Sequence, residues 1–190
     1  SCYDLVSEST WDLVHDGGVK SVNMVIMEEP EHVDRYMKFA DKDGAEIEYP
    51  GKGEAVINTA LAEQYDIKTG DIIMVRDSEM KEIRVSVSGI FRNHVYNYVY
   101  ISPETYEDQM GEAPQYKSVY FNLEEGADSH EISADLMGDA ATASVTINKD
   151  MKNRISKMME SLNYIVIVVI LSAGALAFIV LYNLTNINIT

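Results

Sequence analysis

The chain has 190 residues, enough for one or two small domains with a real core, and a formal net charge of −16. Such a surface repels nucleic acid and anionic lipid headgroups, which excludes a nucleic-acid partner. Its single cysteine, Cys2, excludes an internal disulfide framework or a thiolate metal site. The sequence starts at Ser1 without an initiator Met and stops at Thr190 without a terminal feature, so a piece of a longer protein is expected. Charge is uneven: Lys149, Lys152, Arg154 and Lys157 against Asp150 and Glu160 leave +2 over 149–160, and the rest carries −16 − 2 = −18.

In chain order, "TWDLVHDGGVKSVNMVIM" reads as a β-hairpin, with strands Trp11–His15 and Lys20–Met27 around the turn Asp16-Gly17-Gly18. "PEHVDRYMKFAD" predicts a helix, with Pro30 in its first turn and Val33, Tyr36, Met37 and Phe39 on its buried side. "DKDGAEIE" (Asp41 to Glu48) lacks calcium-loop spacing and reads as an Asp-Gly turn. Next come strand Ala55–Asn58, one or two helical turns over Thr59–Tyr65, the turn Lys68-Thr69-Gly70-Asp71 and strand Ile72–Arg76. "KEIRVSVSGIFRN" alternates as a half-buried strand does, through Ile83, Val85 and Val87. "HVYNYVYIS" continues in the same style. There Tyr96, Tyr98 and Tyr100 are expected on one face, a candidate interaction surface, with Val95, Val99 and Ile101 on the other. Ser102 caps a helix that has Pro103 at its first position. Strand Ser118–Leu123, helix Ser129–Met137 and strand Ala143–Ile147 complete a β-α-β unit. The expected fold class is α+β: β-α-β units sharing a mixed sheet, a β-rich insert at about 50–102, and one long C-terminal helix.

That helix is the most informative segment. Tyr164 to Tyr182 is nineteen residues without a charge, roughly 28 Å of helix, close to the hydrocarbon thickness of a bilayer. A soluble core helix of that length shows a polar stripe. Here Ile165, Val166, Ile167, Val168, Val169, Ile170 and Leu171 cover every direction, and Tyr164 and Tyr182 sit where interfacial aromatics belong. Ala173 and Ala177 add the small-residue spacing of close helix contacts in lipid. Ahead of this run, Met151, Ile155, Met158 and Leu162 form one apolar stripe, a candidate stalk that starts near Asn148. No Gly or Pro separates stripe from span, so one helix of about 40 residues, on the order of 60 Å, is expected. The resulting division is an α+β domain over 1–147, a stalk over 148–163 and a transmembrane helix with its cytoplasmic end over 164–190.

Chemistry is harder to find. His15, His32, His94 and His130 fall in four different elements, without metal-ligand spacing. Gly51-Lys52-Gly53 lacks the phosphate-loop pattern, and Ser7, Ser9 and Ser21 have no base beside them. The expectation is no catalytic residue, no metal and no cofactor, and so no enzyme.

"GEAVINTALAEQYDIKTGDIIMV", "VSVSGIF" and "SLNYIVIVVILSAGALAFIVLYNLTNINI" together resemble FtsX-like, MacB-type ABC transporter permeases, over roughly Gly53 to Thr190. The resemblance implies the C-proximal part of an ectodomain and the transmembrane helix after it. It further implies a cell-membrane location with residues 1–163 extracytoplasmic, and an ABC ATPase on a separate chain. A second permease copy, or the other half of the same permease, and membrane lipid are the other expected partners. Export of lipid, peptide or drug is the family-level expectation, with ATP-driven motion passed along the stalk. The alternative is an interaction or sensor module that regulates a cell-wall hydrolase or senses an extracellular protein or peptide.

Overall fold

A computed structural model describes residues 3–15, 17–94, 96–124 and 126–187; at 149, 151, 152, 186 and 187 it describes the backbone alone. The chain divides into two units, Ser1–Leu123 and Glu124–Thr190. The first is built on strands β1 (Tyr3–His15), β2 (Gly18–Met27), β3 (Glu54–Asn58), β4 (Ile72–Arg76), β5 (Glu82–Phe91), β6 (Tyr98–Ile101) and β7 (Ser118–Phe121), with helices α1 (Thr59–Tyr65) and α2 (Pro103–Met110). The second contains α3 (Ser129–Met137) and α4 (Asn148–Ile187).

The mixed sheet expected for an α+β fold is present, and it closes on itself. Its order is β2-β6-β3-β5-β4-β1-β7, and β2 pairs back onto β1. β1 makes closure possible because it is long enough to use both edges. Val6–His15 run antiparallel to β2, while on the opposite edge Asp12–Val14 pair with β4 and Tyr3–Val6 with β7. Six strands thus form a barrel with no free edge, and β7 lies outside the ring on β1. The β2–β6 and β3–β5 pairs are parallel and the other pairs antiparallel.

Alternation along each strand then makes two cores. Trp11, Leu13, Val22, Met24, Ile57, Val75, Ile83, Val85 and Val99 fill the barrel, joined by Leu61, Ala62 and Ile67 of the α1 region and flanked by Tyr106 and Met110 of α2. Val6, Val25, Met27, Val56, Phe91 and Tyr100 point outward into a second cluster with Val33 and Phe39. The pattern of β5 has to reverse for both to hold. Its register on β3 jumps from Ala55↔Val87 to Val56↔Gly89, leaving Ser88 as a bulge. Val87 therefore faces the barrel with Ile90, while Phe91 joins the outer cluster. The bulge also turns Gly89 outward under Ile47: a Cβ there would lie 2.4 Å from Ile47 Cγ2, so only glycine lets the 30–49 segment lie this close.

Local signals set the remaining ends. Ser102 Oγ accepts from Thr105 N at 3.2 Å to cap α2, Pro103 opens it, and Gly111 ends it at φ 74°. Asp66 ends α1 in the left-handed conformation, and Ile67 N donates to Ala62 O at 2.9 Å, swinging Ile67 into the core. The Asp41 turn forms as expected, Asp41 Oδ1 accepting from Asp43 N and Ala45 N at 2.8 Å each.

Three expectations need correction. The Pro30 helix is a 3-10 turn, Pro30–Arg35, that releases the chain early, so Phe39 reaches the outer core from extended backbone. Residues 143–147 form no strand, and the β-α-β unit is a β-α unit. Alternation alone does not make a strand where the segment has no strand partner. The hairpin strands are longer than the pattern indicated, because pairing with β7 and β2 recruits residues 3–10; Asp16 of the hairpin turn lies outside the described residues.

In the second unit, Asp128 caps α3, accepting from His130 N at 2.8 Å and Glu131 N at 3.3 Å. Those two amides hold its carboxyl below the usual range. No residue of α3 is buried. α4 is one unbroken helix of 40 residues, as expected for stalk and span together. It starts on Asn148, one position ahead of where an N-cap at Asn148 would put it.

Candidate functional site

The three tyrosines singled out by alternation do not share one strand face. β6 begins at Tyr98, and Tyr96 precedes it in a loop, in the left-handed conformation at φ 58°. Tyr98 and Tyr100 do point to the same, outer side. Tyr100 is only 5% exposed, packed against Phe39 (4.7 Å between ring centroids), Phe91 (5.6 Å) and Tyr49 (6.4 Å). Val99 and Ile101 are buried in the barrel. Both faces of β6 are therefore buried there, because the 30–49 segment crosses the outside of the barrel. Val95 lies outside the described residues. What remains at the surface is a ladder: Tyr100 stacks on Tyr98 (6.1 Å, 30°), and Tyr98 meets Tyr96 edge to face (6.4 Å, 86°). Tyr98 is half-buried and Tyr96 is 62% exposed.

Asn58 builds this arrangement. It precedes α1 at the N-cap position, yet its side chain makes no cap hydrogen bond. Fully buried, it donates through Nδ2 to Asn93 O (3.0 Å) and Tyr96 O (2.8 Å), and its Oδ1 accepts from Tyr98 N (2.9 Å). One amide thus fixes the loop 93–97 and the first residue of β6. Thr59 Oγ1 adds a bond to Phe91 O at 2.9 Å. Sequence reading took Asn58 as the end of a strand; its role needs the non-local approach of 93–98.

Beside the ladder, Tyr120 of β7 pairs with Asp4 of β1, on the same outer side as Glu8 further along the alternation of that strand. Burial, and then the Glu8 carboxylate, push the phenols of Tyr98 and Tyr120 above their usual range, so both remain neutral donors. Deeper in, Tyr49 accepts from Met27 N (3.1 Å) and donates to Ile101 O (3.0 Å), tying β2 to β6; burial pushes its phenol up as well. Next to it is an open groove of about 540 Å³ whose wall carries Glu31, Asp34, Glu46, Glu48, Glu104 and a lone Lys52. Among the described residues no group of three His, Cys, Asp or Glu could hold a metal ion.

Of the candidate stalk residues, Ile155, Met158 and Leu162 are 41%, 69% and 56% exposed on α4. The Met151 side chain lies outside the described residues. From Asn153 to Thr185 every side chain is exposed, and this stretch is long and apolar enough to cross a membrane. Two hydroxyls of this stretch bond back to the helix: Ser172 Oγ donates to Val168 O at 2.8 Å and Thr185 Oγ1 to Leu181 O at 2.9 Å. Such back-bonding removes the penalty of a bare hydroxyl in hydrocarbon.

No protein-family model matches the chain, and no curated protein does. Solved structures do. The chain is similar to the extracellular domain of the noncanonic ABC-type transporter YknZ from Gram-positive bacteria, at 13% identity over 70% of this chain and 69% of that one, with a TM-score of 0.50. It is also similar to the periplasmic region of MacB from Actinobacillus actinomycetemcomitans, at 12% identity over 70% of this chain and 62% of that one, with a TM-score of 0.44. The first likeness establishes the fold: the chain folds as an ABC-type transporter ectodomain does, in line with the sequence resemblance.

Proposed function

We propose that the chain is the C-proximal part of the ectodomain of an ABC transporter permease subunit together with the membrane span that follows it. The observation that carries this reading is α4: one helix, without Gly or Pro between its amphipathic start and its apolar run, on a chain with a transporter-ectodomain fold. Residues 148–163 are the stalk and 164–190 the span with its cytoplasmic end, in the cell membrane, with residues 1–163 outside. An ABC ATPase on a separate chain supplies the energy, and this chain is not itself an enzyme. The remaining partners are a second permease copy, or the other half of the same permease, and lipid. The substrate class is exported lipid, peptide or drug. A continuous helix transmits axial and bending motion, whereas a flexible linker absorbs it.

The test breaks the helix without removing its apolar stripe. Proline at 155 deletes one main-chain hydrogen bond and clashes with the preceding turn, which costs a helix interior about 3 kcal/mol or more and kinks it. In cells lacking the permease, Ile155→Ala should restore the transport or resistance phenotype, and Ile155→Pro at equal membrane abundance should not. Full rescue by Ile155→Pro would overturn the mechanical reading.

A further inference from the structure

We infer that Tyr96, Tyr98, Tyr120 and Glu8 form a docking surface for a Lys or Arg side chain presented by a basic segment of a partner protein. This surface is independent of the transport reading and of α4.

Tyr96 is the first observation. A bulky residue at φ 58° is strained, and strain of this kind persists only where its surroundings enforce it. Here the enforcing group is buried Asn58, whose side chain leaves its own helix uncapped to hold Tyr96 O and Tyr98 N. An exposed aromatic ring is thereby held in a fixed place, where Gly or Asn would satisfy the backbone more easily. The ladder is rigid from below, because Tyr98 is stacked on buried Tyr100 and cannot turn away.

Charge chooses the occupant. Glu8 is exposed on the outer side of β1, level with Tyr100 across β2 and on the strand that pairs with Tyr120, and among the described residues it forms no ion pair with Lys or Arg. Aromatic rings next to a carboxylate without a cation suit an ammonium or guanidinium group, held by the ring quadrupole and by charge. The net charge of −16 opposes any ligand of net negative charge. A second copy would bring the same acidic surface. A basic protein segment meets neither objection.

The test is fluorescence anisotropy of a labelled tetra-arginine amide against the full chain in neutral detergent, at physiological salt. Tyr96→Ser and Glu8→Gln should each weaken binding about fivefold. Glu63→Gln removes the same charge from an exposed site on α1 and should change it less than twofold. Tyr96→Gly should weaken binding as Tyr96→Ser does while the unfolding midpoint stays equal or rises, which separates contact from folding. Equal losses for Glu8→Gln and Glu63→Gln, or binding unchanged by Tyr96→Ser, would overturn the proposal. So would displacement of the peptide by phosphatidylcholine vesicles, or a dimer in sedimentation that Tyr96→Ser abolishes.

Discussion

Replacing Asn58 by alanine is the sharpest test of how the ladder is built. The substitution removes three hydrogen bonds, at 2.8, 2.9 and 3.0 Å, from a side chain with no exposure. It leaves the Tyr98 amide and the carbonyls of Asn93 and Tyr96 without that partner. At about 1 kcal/mol for each hydrogen bond lost, Asn58→Ala should destabilise the first unit by about 3 kcal/mol. For a unit of this size that is a fall in Tm of roughly 10–15 °C. Asn58→Asp should fare no better: it keeps an acceptor for Tyr98 N but sets a carboxylate oxygen against two carbonyl oxygens. Trp11, the sole tryptophan, is 5% exposed inside the barrel and reports the unfolding directly in a urea titration. Hydrogen exchange at the Tyr98 amide should speed up in parallel. A loss below about 1 kcal/mol would refute the reasoning, because the loop would then be held by something other than Asn58.

Two further outcomes follow from the outer core. Gly89→Ala should cost about 1–3 kcal/mol by driving a methyl into Ile47, and Ile47→Ala should recover part of that loss, a favourable coupling readable in a double-mutant cycle. Asp4 is buried, its Oδ1 accepts from Glu29 N at 3.4 Å, and desolvation, with the Glu29 carboxylate adding to it, raises its carboxyl above the usual value. A raised folded-state pKa contributes stability that is complete below the unfolded value and is lost as pH rises through the folded one. The wild type should therefore lose stability relative to Asp4→Asn as pH rises above about 4 in urea titrations at each pH; a difference that does not change with pH would contradict the cause assigned.

What could be read from the sequence was local. Thr59–Tyr65, Ile72–Arg76 and Ser129–Met137 end where the pattern placed them, and α2 opens on its Ser-Pro signal. α4 was legible because its apolar run has no polar stripe and no breaker separates it from the lead-in. Closure of the barrel was not legible, since it depends on β1 pairing with β2, β4 and β7, a relation between distant segments. A signal for the bulge was present: a glycine inside an alternating strand, in "VSVSGIF", marks a bulge or a close approach, and here the bulge at Ser88 adjoins the close approach at Gly89. The tyrosine pattern was right in kind for Tyr98 and Tyr100 but misplaced Tyr96, because nothing local announces a tyrosine at positive φ. It also left out Glu8 and Tyr120, which long-range pairing brings alongside.

The central claim is that α4 crosses the membrane and leaves the barrel outside. Cysteine accessibility in a Cys2→Ser background tests it most directly. Met80 is exposed in the turn closed by Asp77 N donating to Lys81 O at 3.0 Å, and Thr185 lies just past the apolar run. With a membrane-impermeant maleimide on intact cells, Met80→Cys should be labelled, and Thr185→Cys should be labelled only after the membrane is opened. Labelling of both on intact cells, or protection of Met80→Cys until lysis, would contradict the account.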